Sequence, residues 1–396
     1  MMNHIETFYV GCFRGLADLT FDGASHFNLI VGGNNSGKTS ALEALAVYAA
    51  PLDVIEWASI ARTREVRSFM SSASPGLSWS DAVRWLFHQD TSEWQRSTSY
   101  LRLAAEGRIP VRSLKATCEP VRGIAPEPRF KPLNRSSRKH QELGVEEDGW
   151  HLSILADLDP SALAIAQKRL AFGSGLDEVR QHGTTLSVDL QIWSSTPLLR
   201  APRARGLQMR SALLSPYSHR NEPLQMRRLS DAIYSGRKDA VLGLLRGIDP
   251  KLVDLEIITS EGDRPLLIAV FERSRRVPVT VLGDGFRRAL AIAVAINEVR
   301  GGILMIDEIE AAMHVSALDT LFPWLLRSAA ELEVQIFATT HSLEAIQEIT
   351  AAVPRNDIDD LVAFHLPSRG PSGGKLRRYN GNMLKRLVQE RGFDIR

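Results

Sequence analysis

Residues 32–39 read Gly32-Gly33-Asn34-Asn35-Ser36-Gly37-Lys38-Thr39. The spacing G-x-x-x-x-G-K-[ST] is that of a P-loop. Its chemistry is anion capture. The glycines let the backbone curl until several N–H groups face inward, and the N-terminus of the next helix adds its dipole to the same anion. Gly32, Asn34, Asn35, Ser36, Gly37, Lys38, Thr39 and Ser40 are therefore the candidate residues for binding the phosphates of ATP. Lys38 is expected to reach the β- and γ-phosphates and the Thr39 hydroxyl to bind Mg²⁺. The bare pattern also fits a glycine-rich turn, but a strand enters this one and a helix leaves it.

A second pair comes after the apolar run Ile303-Leu304-Met305-Ile306, where Asp307 and Glu308 stand at the strand tip. Asp307 is expected to hold Mg²⁺ through water, as a Walker-B carboxylate does. Glu308 would lie beside the γ-phosphate and orient or deprotonate the attacking water. The alternative is two acids capping the next helix. Glu310 reads as a helix-start acid.

Both pairs need elements that bring them together. Residues 26–31 form an apolar strand into the loop. Residues 39–50 form a helix out of it, stopped by Pro51. Residues 5–10 read as a further strand, 98–105 and 110–117 as weaker ones, and 80–89 as a helix or turn. In the last third, helix 285–299, strand 303–306, helix 315–329, strand 334–338 and helix 342–351 alternate. That alternation predicts a parallel sheet covered on both faces. Between these parts, Pro120, Pro126, Pro128 and Pro132 predict a long loop or insertion from residue 119. A helix is expected over 161–171, a strand over 185–193, one helical stretch over 224–247, and strands over 266–271 and 277–281. The implied division is 1–118, an insertion or lid over 119–207, and 208–396.

The chain has 396 residues, 44% apolar and 24% charged, which is globular and larger than one average domain. No apolar run reaches about 18 residues, so a membrane helix is not expected. The N-terminus lacks a basic segment followed by an apolar one, so neither is a signal peptide. Cys12 and Cys118 are too few for a disulfide framework or a Cys-rich zinc site. A soluble cytoplasmic protein without a membrane partner is expected. The net charge of +2 excludes little. Nine of the 48 basic residues are Lys. Arg suits bidentate phosphate contacts, and genomic base composition explains the bias equally well.

Several segments together resemble one family. FYVGCFRGLADLTFD followed by HFNLIVGGNNSGKTSALEAL resembles the opening of ABC-class P-loop ATPases of the RecF, SMC and OLD (overcoming lysogenization defect) group. LGDGFRRALAIAVAI at 282–296 resembles the signature motif and its helix. ILMIDEIEAAMH resembles Walker B plus D-loop, and IFATTHS at 336–342 the switch-histidine segment. KLRRYNGNMLKRLVQERGFDIR is similar to the end of OLD-type ATPase domains. The likeness covers both ends of the chain and fades over 119–207.

The resemblance implies an α/β fold: an ABC-type P-loop head with a mostly parallel sheet covered by helices, an antiparallel β subdomain, and an inserted loop or helical region. It implies Mg-dependent ATP hydrolysis by a homodimer or higher assembly. Two heads sandwich two ATP molecules, each between the P-loop of one head and the signature of the other. Gly283, Asp284 and Gly285 then touch nucleotide across the dimer, with Gly283 where the transporter form LSGGQ carries Ser. Arg287 and Arg288 either reinforce that anion site or face solvent. His341 is the implied switch histidine, or else a polar neighbour of a helix cap. Arg14 is an implied phosphate contact, and Gln89 a candidate Q-loop residue. Six residues after Glu308 stands His314, so MHV matches the LHP variant of the OLD group, and Ser316-Ala317-Leu318-Asp319 begins the next helix.

Between residues 194 and 230 lie seven Arg (200, 203, 205, 210, 220, 227, 228) and one acid, Glu222. Such a stretch suits nucleic-acid phosphates, an acidic protein partner, or a solvated face. Only Trp193 and Tyr217 are near, too few for stacking on single strands. OLD nucleases carry a Toprim domain after the ATPase, and the about 30 residues beyond 361–366 are too few for one. The leading expectation is an ATP switch that controls a separate protein effector in bacterial, anti-phage defence. The alternative is a RecF-like ATPase that binds double-stranded DNA in repair or genome maintenance. The missing signature Ser weighs against a transporter motor, and Glu308 against an inactive scaffold.

Overall fold

Strands β1 (Ile5–Phe13) and β2 (Leu16–Asp22) open the chain, and β3 (Phe27–Val31) enters the P-loop. β3 is buried at every residue, as a strand covered on both faces must be. The structure is a computed structural model. It describes residues 3–64, 78–88, 98–124, 146–162, 179–193, 207–259, 265–367, 375–392 and 394–395. Two compact units divide the chain: Met1–Thr7, Phe21–Leu42 and Arg210–Arg396 form one, Phe8–Thr20 and Glu43–Met209 the other.

The second unit contains α2 (Val54–Arg62), α3 (Trp79–Arg84), β4 (Ser99–Gly107), β5 (Val111–Ile124), β6 (Glu146–Leu158), β7 (Val179–His182) and β8 (Thr185–Trp193). The α1 helix (Lys38–Ala49) begins directly after the P-loop. The strands β4 to β8 pair antiparallel with one another and join β1 and β2 in a sheet of order β2-β1-β4-β5-β6-β8-β7. Alternate residues such as Leu101, Leu103, Leu114, Leu152 and Val188 are buried, the period-two pattern of a half-covered sheet. The start of the loop or insertion expected from residue 119 is corrected, and residues 125–145 lie outside the described residues. β5 runs on to Ile124, with Pro120 opposite Trp150 of β6. β4 pairs with β5 only as far as Cys118, so Pro120 falls beyond that partner, where its missing N–H is tolerated. From residue 163 the helix expected over 161–171 lies outside the described residues, as do Gln89 and the arginines at 200, 203 and 205.

The first unit holds the site. Its later elements are β9 (Ser211–Leu214), α4 (Glu222–Tyr234), α5 (Lys238–Ile248), β10 (Leu252–Ile258), β11 (Leu266–Phe271), β12 (Arg275–Pro278), α6 (Asp284–Glu298), β13 (Ile303–Ile306), α7 (Val315–Leu332), β14 (Gln335–Thr339), α8 (Leu343–Ala352), β15 (Leu361–His365) and β16 (Arg377–Asn380). The helical stretch expected over 224–247 is two helices, because Ser235-Gly236 supplies a stop. The strand expected over 277–281 ends at Pro278, and a single 3₁₀ turn comes next.

Strand order in the main sheet is β16-β15-β3-β14-β13-β9. The neighbours β15/β3, β3/β14, β14/β13 and β13/β9 are all parallel, and only β16 is antiparallel. Parallel strands end on one edge. The segments that leave Val31, Thr339, Ile306 and Leu214 therefore emerge on the same side, the usual place for ligands in such sheets. α6 supports that edge from within. Its residues Ala289 to Ile296 are all buried, as expected for a helix apolar on every side. No helix among the described residues is long and apolar enough to cross a membrane.

Gly302 precedes β13 because nothing larger fits. A Cβ there would stand 2.0 Å from the Arg210 carbonyl oxygen, the same oxygen that accepts from Ile303 N–H at 2.8 Å. Gly302→Ala is expected to cost about 1–3 kcal/mol by overpacking, read as a lowered melting temperature.

Candidate active site

The loop after β3 adopts the curl its sequence predicts. Gly32, Asn35 and Gly37 have φ of 146°, 60° and 100°, so the chain turns through left-handed conformations that favour Gly and Asn. At Gly32 a Cβ would also lie 2.5 Å from the Leu366 carbonyl oxygen. Gly32→Ala is expected to remove nucleotide binding, read by loss of a fluorescent-ATP signal. Lys38 opens α1 and folds back over the loop, its Nζ donating to the Gly32 and Gly33 carbonyls at 2.7 and 3.0 Å. Burial pushes the Lys38 ammonium below its ordinary value, against the opposing pull of Asp307, Glu308 and Glu310.

Thr39 joins the loop to the second strand tip. Its hydroxyl donates to the two Asp307 carboxylate oxygens at 3.1 and 3.0 Å. Asp307 is buried, and Thr339 Oγ1 at the end of β14 donates to its Oδ1 at 2.6 Å. The same Thr339 oxygen accepts from Glu308 N–H at 2.8 Å. Thr39 from the first turn of α1 and three residues from the ends of two parallel strands thus form one hydrogen-bonded chain: Thr39, Asp307, Thr339, Glu308. Glu308 itself has φ 47°, an uncommon conformation for Glu that marks a constrained turn.

Three residues of this edge depart from expectation. Glu310 is not a helix-start acid, since the next helix begins only at Val315. Its Oε1 instead accepts from the His341 backbone N–H at 3.1 Å and lies 3.4 Å from His341 Nδ1. Thr339 lies within IFATTHS, a segment whose resemblance assigns a role only to His341. The signal for it was its place at the C-terminal end of a strand beside the P-loop strand. Arg288 neither faces solvent nor lines an exposed anion site. It is fully buried, and burial brings its guanidinium down to about 10, opposed by Asp307, Glu310 and Glu308. Its NH1 donates to the Ser215 carbonyl at 2.5 Å, and its NH2 to the Asp307 and Glu308 carbonyls at 2.8 and 3.2 Å.

Thr339→Val keeps the shape and removes the hydroxyl. It leaves Glu308 N–H without that acceptor, a loss of about 1–3 kcal/mol where the group stays dry. Slower turnover with little change in ATP affinity is the expected outcome of steady-state kinetics.

The signature stretch sits at the start of α6. Asp284 there is ion-paired with Arg287 and with Arg220 at 3.2 Å, and it lies 3.5 Å from His219 Nε2. Those contacts hold its carboxyl below the usual range, the bond from Arg287 foremost. Its partners are thus not P-loop residues. Gly285 lies close to the segment after Glu308, where a Cβ would stand 3.2 Å from the Ala312 carbonyl oxygen. His314 caps α7 by accepting from Ser316 N–H. Arg14 belongs to the second unit, where it pairs with the buried Glu43 at 2.8 Å.

Known proteins share parts of this sequence and fold. Residues 174–347 match a family described as "AAA domain, putative AbiEii toxin, Type IV TA system". An uncharacterized protein of Methanocaldococcus jannaschii is 37% identical over 83 residues, which are 21% of this chain and 73% of that protein. An ATP/GTP phosphatase of Helicobacter pylori is 26% identical over 107 residues, 26% of this chain and 29% of its own length. Among solved structures, an SMC head bound to the C-winged helix domain of ScpA aligns over 96% of this chain and 98% of its own, with TM-score 0.44 and 12% identity. An SMC head domain from Thermotoga maritima aligns over 96% and 99%, with TM-score 0.38 and 12% identity.

Proposed function

We propose, from the premise that this chain belongs to the family of the Methanocaldococcus jannaschii protein and carries an AAA-family ATPase domain, that it is an ATP-hydrolysing switch. The observation that carries this reading is the bonded chain from Thr39 through Asp307 and Thr339 to Glu308. A P-loop hydroxyl, a metal-type carboxylate and a candidate general base occupy one sheet edge. The residues fit the phosphates and Mg²⁺ of such a reaction. Ser36 Oγ is buried in the loop without a hydrogen-bond partner, as expected of a group that meets phosphate. Lys38 bonds loop carbonyls that a phosphate would replace as acceptors. Thr39 and Asp307 offer the oxygen ligands Mg²⁺ prefers, and the ion when bound would neutralise phosphate charge.

In this reading the loop N–H groups and Lys38 bind the phosphates, and Glu308 orients water and takes its proton. His341, held at Glu310, senses the γ-phosphate. Gly283, Asp284 and Gly285 meet the nucleotide of a second copy. Gly283 is exposed with open space where a Cβ would stand, and the N-terminus of α6 favours an anion. ATP drives closure only by binding the closed assembly better than the open one. Light scattering on Glu308→Gln tests this: the mass should at least double on adding Mg-ATP, and an unchanged mass contradicts the sandwich.

The output is a separate protein effector in cytoplasmic, anti-phage defence. The toxin–antitoxin wording of the matched family supports that setting. In the Arg-rich stretch, Arg220 pairs with Asp284, and Arg227 and Arg228 pair with Glu298. Their charge is partly answered within the chain, which favours the effector over duplex DNA as the partner. Stimulation of ATP turnover by duplex DNA would reverse that order.

A further inference from the structure

We propose that Arg288 is the positioning residue for Glu308, and that it ties the start of α6 to the general base. This role rests on the ATPase reading. The guanidinium is fully buried, and it spends its donors on three main-chain carbonyls: Ser215 after β9, Asp307, and Glu308 itself. Carbonyls at the ends of parallel strands have no further strand partner, so a cation between two strand tips fixes both.

Glu308 is held from two sides. Thr339 accepts from its N–H, and Arg288 donates to its carbonyl. A left-handed Glu costs on the order of 1–3 kcal/mol and persists only when its surroundings over-determine it. Those two contacts do so here. The arrangement is not optimal for stability. Arg288 Nε is buried without a hydrogen-bond partner, and burying a cation is costly unless it is fully paired. A residue kept for packing alone would need no charge.

Arg288 also lies one turn after Asp284 on the same rigid helix. Whatever moves the first turn of α6 therefore moves the carbonyl of Glu308. Arrival of a second copy's nucleotide at Gly283–Gly285 would be reported to the general base in this way, without a contact between the two.

Full-length Arg288→Met and Arg288→Lys, compared with wild type, decide the matter. Trinitrophenyl-ATP with Mg²⁺ reads affinity, and phosphate release reads kcat and KM. For Arg288→Met, affinity and KM are expected within about threefold of wild type, with kcat down about 10²-fold, the effect of a misplaced group. Arg288→Lys, which can serve fewer of the carbonyls at once, should recover part of kcat. Wild-type kcat in Arg288→Met overturns the assignment, as does affinity falling in step with kcat. Where Arg288→Met fails to fold, Arg288→Lys decides alone: a kcat between about 2% and 50% of wild type with unchanged KM supports positioning, and any other value overturns it. A wild-type chain without turnover instead overturns the ATPase reading itself.

Discussion

Glu308→Gln is expected to bind ATP as wild type does and to hydrolyse it about 10²–10⁴-fold more slowly, the contribution of a positioned general base. The substitution keeps the volume, and it keeps the backbone N–H that bonds Thr339. It removes only the carboxylate that takes the proton. Asp307 and Thr39, which would hold the metal, are untouched, so affinity should stay within about threefold. Slow hydrolysis with tight binding also traps the closed assembly. Single-turnover assays and nucleotide titration on the same preparation separate the two effects. Equal rates in wild type and variant would remove Glu308 from the role of base.

Lys38→Ala should have the second-largest effect, and on binding rather than on chemistry alone. Hydrogen bonds to charged groups are worth about 1.5–3 kcal/mol each, so ATP affinity is expected to fall by about ten- to a hundredfold. The fold should survive. Lys38 bridges two loop carbonyls, and burial already opposes its charge. A melting temperature near wild type with no detectable Mg-ATP shift is the expected pair of results. Normal affinity would mean that the backbone cradle alone binds the phosphates.

Much of the site was legible because its chemistry dictates local sequence. Gly32, Gly37, Lys38 and Thr39 are fixed by backbone curl and phosphate contact, and Asp307-Glu308 by the end of a buried strand. The order of the parallel strands was not legible. No local rule says that β14 pairs with both β3 and β13, and it is that order which makes Thr339 the link between Asp307 and Glu308. Arg288 misled for a similar reason. Beside Arg287 in a helix start it looks like a surface residue. Only the packing of α6 against the strand ends turns it inward. Pro120 suggested a loop because its missing N–H forbids a central strand. It is accommodated because β4 stops short of it.

The most direct test of the account is phosphate release from ATP by the purified chain with Mg²⁺, beside Glu308→Gln and beside a chelated control. Wild-type turnover that both the variant and chelation abolish is the predicted result. Phosphate release at the same rate in wild type and Glu308→Gln would contradict the assignment of this edge as the catalytic site.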